Sequence, residues 1–139
     1  MMTDMTRTIT LPLMLSGLLS ALPAQATEPL SADAFEQFTT GRTLTYFSGG
    51  SPYGIEKYLP NRRVIWSFLD GRCQEGTWAP SGPYICFEYN TDSGPQCWQF
   101  FLQNGQLRAV FEDGSEEATP YAAEDASEDM YCMGPDVGA

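Results

Sequence analysis

Residues 96–112, QCWQFFLQNGQLRAVFE, contain a hairpin that can be tested within the sequence. Asn104-Gly105 favours a two-residue type I′ turn, because both positions need positive φ. That turn sets Leu102 opposite Leu107, Phe100 opposite Ala109 and Trp98 opposite Phe111, all apolar. The other face pairs Phe101 with Arg108 and Cys97 with Glu112, which suits solvent. A slip of one residue would exchange the two faces, so turn chemistry and binary pattern select the same register.

Working outward, the period of two persists. Aromatic and β-branched runs occur at 43–47, 53–59, 62–69, 72–78, 84–89, 96–102 and 106–112. The dipeptides Gly49-Gly50, Pro60-Asn61, Asp70-Gly71 and Asn104-Gly105, with Ser81-Gly82-Pro83 and Ser93-Gly94-Pro95, punctuate them. Short strands at regular spacing with turns between them predict an all-β antiparallel meander of seven or eight strands, curved or closed into a small barrel. One short helix is predicted at 32–39, with Ser31 as its cap and Leu30 and Phe35 at staple positions. A further strand is expected near Thr119 to Tyr121.

The N-terminus has the form of an export signal. Arg7 precedes an apolar run from Ile9 to Leu22, and Ala24-Gln25-Ala26 supplies small residues for cleavage. Fourteen residues fall short of the roughly 20 that span a bilayer. The expectation is a signal peptide at 1–26, then one β-rich domain at 27–139 with an acidic tail over about 112–139, in the periplasm or secreted. The domain keeps six basic and 17 acidic residues, a net charge of −11. Such a surface repels nucleic-acid phosphates and anionic lipid and favours a cationic partner.

In an exported chain, four cysteines are read as two disulfides. Cys86 and Cys97 share the non-core face of neighbouring strands, which favours Cys86–Cys97 and, with it, Cys73–Cys132. The chain-entropy model assigns them about 3 and 4 kcal/mol. Zinc is disfavoured, because the spacings lack paired CxxC motifs and the chain has no histidine. No metal or cofactor is expected.

The missing histidine also removes Ser-His-Asp and Cys-His catalysis, and bridged cysteines leave no thiolate. Lys57 reads as a strand-face cation. Glu56, Glu75 and Glu88 lie on predicted strands where two carboxylates could converge for hydrolysis; solvent-facing positions are the simpler reading. The acidic tail lacks a calcium-binding loop motif and reads as a solvated edge or a docking face for a cationic protein. Arg62-Arg63 is expected to pair with acids near a turn.

Gly76-Thr77-Trp78 resembles the G-x-W at the first strand of lipocalin-type barrels, but it falls mid-meander, where Trp78 is expected to pack the core. Tyr46, Tyr53, Tyr58, Trp66 and Tyr84 are candidates to line a small apolar cavity, or to fill the barrel outright.

The run from Gly50 to Phe68 (GSPYGIEKYLPNRRVIWSF), the spaced Cys73, Gly76-Thr77-Trp78, Ile85-Cys86-Phe87 and Gln96-Cys97-Trp98, and the ending Tyr131-Cys132-Met133-Gly134-Pro135 resemble a group of small secreted proteins of alphaproteobacteria. The resemblance implies a periplasmic β-rich domain and transfers no activity. The functional expectation is a non-enzymatic binding or accessory module that acts through an acidic face, as an inhibitor-like protein docking on a basic enzyme would, or through an aromatic concavity. The alternatives are a lipocalin-like carrier of an apolar small molecule and a carboxylate-dependent hydrolase.

Overall fold

The computed structural model describes residues 28–91, 93–112 and 120–133. The expected signal segment and much of the acidic stretch after Glu112 lie outside the described residues.

The chain enters through α1 (Ala32–Thr39), where the Ser31 hydroxyl accepts the Ala34 N–H at 3.2 Å. Eight strands follow: β1 (Thr43–Ser48), β2 (Ser51–Leu59), β3 (Arg63–Ser67), β4 (Cys73–Ser81), β5 (Tyr84–Tyr89), β6 (Gln96–Gln103), β7 (Gln106–Phe111) and β8 (Tyr121–Asp125). Each pairs antiparallel with the next, and β8 returns to β1, so the sheet is a closed barrel. The predicted hairpin has its predicted register, with Leu102 opposite Leu107, Phe100 opposite Ala109 and Trp98 opposite Phe111. Asn104 and Gly105 both adopt positive φ, as a type I′ turn requires.

The closing strand lies further along than the expected site near Thr119 to Tyr121. Its pattern is weak because Ala122 and Ala123 alternate little in hydropathy and the strand ends in Glu124-Asp125. What places it is pairing on both sides, through Ala123 with Tyr46 and Leu107, since closure satisfies two otherwise unpaired backbone edges.

Closure turns every second residue into the lumen. At one end α1 seals it. Phe35 is fully buried, with its ring 4.4 to 6.3 Å from those of Tyr58, Trp78, Phe87 and Phe100. The Leu30 N–H donates to the Phe100 carbonyl at 2.7 Å and the Gly41 N–H to the Tyr58 carbonyl at 2.9 Å, so both flanks of the helix are tied to opposite walls. The Arg62 guanidinium lies over Trp78 at 4.7 Å and reaches Glu36 at 3.1 Å and Asp33 at 3.6 Å. Arg62 thus finds acids as expected, but on the helix instead of in its own turn.

Both expected disulfides form, Cys86–Cys97 between directly opposed residues of β5 and β6 and Cys73–Cys132 across 59 positions. Bonds of this kind are characteristic of proteins outside the reducing cytosol. Among the described residues, no helix is long and apolar enough to cross a membrane.

After β8 the tail runs from Ala126, whose N–H donates to the Thr43 carbonyl, to Met133, whose N–H donates to the Gly71 carbonyl. Six residues reach about 20 Å, and strand spacing sets about 14 Å for the step from β1 to β4, so the tail passes outside β2 and β3. Along that path Ile55, Ile65 and Ser67 point outward yet are buried. Strict alternation misses this burial, because it reads an outward position as a solvent-facing one.

Phe35→Ala is expected to cost about 3 to 5 kcal/mol, the range for losing a large buried ring. Urea denaturation followed by circular dichroism measures it; a loss under about 1 kcal/mol would show that the helix is not the seal.

Candidate functional site

Period two places Tyr46 on the inner face of β1, Gly54, Glu56 and Tyr58 on that of β2, and Val64 and Trp66 on that of β3, as the pairings of Tyr46 with Gly54, Glu56 with Trp66 and Tyr58 with Val64 require. The rings near α1 pack against Phe35. Towards the other end the lumen stays open as a cavity of about 390 Å³. Its walls include Tyr46, Tyr58, Trp66, Phe87, Trp98 and Tyr121, and its mouth carries Tyr53 and Phe68 with Gln74, Thr91, Ser93 and Gln96.

Two glycines shape the wall. A Cβ on Gly54 would fall onto the Trp66 ring, and a Cβ on Gly76 would come within 2.5 Å of the Glu88 carbonyl oxygen and 2.8 Å of Tyr89 Cδ1. Gly76 therefore leaves room for Tyr89 to lean across the lumen. There the Tyr89 hydroxyl donates to Glu56 Oε1 at 2.9 Å.

Glu56 is only 1% exposed, and its Oε2 has no partner among the described residues. Burial raises its pKa well above the usual carboxylate range, and the Tyr89 hydrogen bond offsets part of that rise. Beside it, the Tyr46 and Tyr58 hydroxyls share a 2.6 Å hydrogen bond. One of these phenols donates to the other, which leaves the pair one further O–H to give. Burial also raises the pKa values of Tyr46, Tyr58 and Tyr89 well above the ordinary phenol range, making each a weaker acid.

Four of the five predicted cavity aromatics, Tyr46, Tyr53, Tyr58 and Trp66, face this space. Tyr84 does not. Its register with Ser81 puts it on the outer face beside Cys86, at the sealed end. The three candidate carboxylates are not brought together: Glu75 and Glu88 are exposed on the outside of β4 and β5, whereas Glu56 is inside. The solvent-facing reading holds for Glu75 and Glu88 and fails for Glu56. Its inward position had a signal in the sequence, since Tyr58 two residues on is a core aromatic and i, i+2 share a face. Tyr89 had the same signal, two residues beyond Phe87. Trp78, the tryptophan of the G-x-W, packs the sealed end and is 4% exposed.

Comparison with known proteins finds no matching family model, no matching curated protein and no matching solved structure. The geometry of the lumen alone must therefore support any functional reading.

Two outcomes test this geometry. Glu56 retains its proton in the folded state at pH values where the unfolded chain has lost it, so its contribution to stability declines as pH rises above the ordinary carboxylate range. Thermal denaturation of Glu56→Gln should match the native protein near pH 4 and exceed it increasingly towards pH 8, by at most about 1.4 kcal/mol per pH unit. Gly76→Ala should cost about 1 to 3 kcal/mol by crowding the Glu88 carbonyl and, with it, the Tyr89 ring. In a double-mutant cycle with Tyr89→Phe, the two effects should be non-additive.

Proposed function

We propose that this protein is a non-enzymatic binding module of the periplasm that takes one small, largely apolar, ring-bearing ligand into its barrel. The observation that carries the reading is a lumen sealed at one end by Phe35, left open at the other, and walled by aromatic rings around a single buried carboxyl group. Small-molecule sites share this character: a preformed concavity of about 300 to 1,000 Å³, mainly apolar, with a few placed polar groups. The export-type N-terminus and the two disulfides support an extracytoplasmic setting.

The acidic outer surface serves solubility in this reading. A hydrolase would need a second carboxyl group near Glu56, and the other two candidates stand on the opposite side of the barrel wall.

The test is titration with naphthalene, an uncharged hydrocarbon, read by the fluorescence of Trp66 and Trp98 in the cavity wall. Saturable one-to-one binding that is unchanged from low to moderate salt is expected, since apolar burial is not screened. Trp66→Ala should weaken it at least about tenfold, or 1.4 kcal/mol. Absence of saturable binding, or binding that fades with salt, would overturn the reading.

A further inference from the structure

Resting on that reading, we infer that the ligand is an organic cation, a protonated amine on an apolar body, whose ammonium group is held by Glu56 while its body lies among the aromatic rings. Three independent features of the lumen converge on this chemistry.

The first is Glu56 itself. Its Oε1 accepts the Tyr89 hydroxyl, its Oε2 is buried with no partner among the described residues, and Glu56 is one of the residues that line the cavity. An unpaired polar oxygen in an aromatic pocket is costly, and a ligand N–H removes that cost. Tyr89 donates to the carboxyl group, and a donated hydrogen bond favours the charged carboxylate. Tyr89 is fixed in that role by Gly76.

The second is the absence of a competing cation. Among the sixteen described residues lining the cavity none is lysine or arginine, so no side chain there can neutralise Glu56. Lys57, next in sequence, points to the outer face, and Arg42 is engaged with Asp125 at 3.0 Å. The titratable groups facing Glu56 are Tyr46 from β1, Tyr58 from β2 and Tyr89 from β5, and each keeps its proton at neutral pH. The ligand is then the source of positive charge.

The third is the wall. Ten of the sixteen lining residues are aromatic, and the electron-rich faces of such rings attract a cation, most strongly when it is shielded from water. A net charge of −11 also raises the local concentration of cations at the mouth.

The balance of the binding step follows. At pH values where burial keeps Glu56 protonated in the empty site, pairing its carboxylate with the ammonium group sends the proton to solvent, so up to one proton is released for each cation bound. Affinity for a cation should therefore rise with pH until Glu56 ionises unaided. A neutral ligand that accepts the acid's proton in a hydrogen bond should show the reverse.

Three probes of one shape separate these cases: the 2-phenylethylammonium ion, 2-phenylethanol and ethylbenzene. Tryptophan fluorescence and calorimetry should be recorded over the pH range in which the amine stays protonated. The expected result is at least tenfold tighter binding of the ammonium ion than of the alcohol at pH 7, with affinity increasing with pH. Calorimetry in two buffers of different protonation enthalpy should detect release of up to one proton. Glu56→Gln should abolish the preference while ethylbenzene binds as before. If the alcohol or the hydrocarbon binds as well as the cation in the native protein, or if the cation's affinity falls with pH, the cation assignment is wrong and the apolar-ligand reading survives. If none of the three binds, both are wrong. The native-protein selectivity and the proton release decide the matter even if Glu56→Gln fails to fold.

Discussion

Once eight strands close on themselves, no inward side chain has anywhere else to go. In an open sheet, a glutamate or a row of tyrosines could face water from either side; in a small barrel, alternate residues share one lumen whose width the strand number sets. The inner face of β2, Gly54-Glu56-Tyr58, therefore carries a carboxyl group inside together with the tyrosine that packs the core. The buried hydrogen bond to Tyr89 and the clearance at Gly76 follow from that confinement.

The same constraint explains why one end is solid and the other hollow. At the sealed end Phe35 enters from outside the sheet and fills the space between Tyr58, Trp78, Phe87 and Phe100. Among the described residues no corresponding group enters at the mouth. Helix and barrel thus divide the work, the former completing a core and the latter keeping a cavity, with Arg62 joining them through Trp78, Glu36 and Asp33.

Most of the architecture was legible in residue order because hairpin turns and period two are local signals. The Asn104-Gly105 turn, the Ser31 cap and the shared face of Cys86 and Cys97 each depend on neighbours within about a dozen residues. Non-local features were harder to read. The strand Tyr121–Asp125 shows its role only through pairing with β1 and β7, and Ile55 and Ile65 are buried although they point to the outer face of the barrel. The site divided along the same line. Tyr46, Tyr53, Tyr58 and Trp66 announce themselves as aromatic strand residues, whereas Glu56 looked like any solvent-facing acid until the face shared with Tyr58 was taken as binding on it. Tyr84 carried the right side chain on the wrong face, and its neighbour Cys86 already marked that face as outer.

The two covalent links differ in when the growing polypeptide can make them. Cys86 and Cys97 emerge close together and meet across adjacent strands, so local pairing suffices. Cys73 must wait for Cys132, 59 residues later, while both partners of the other link appear in between. Vectorial emergence thus makes Cys73–Cys132 the late closure, and the tail that it fastens lies over a barrel whose strands have already been delivered. As the polypeptide emerges, the thiol of Cys73 waits longest for its native partner and so has the most occasion for exchange with wrong ones.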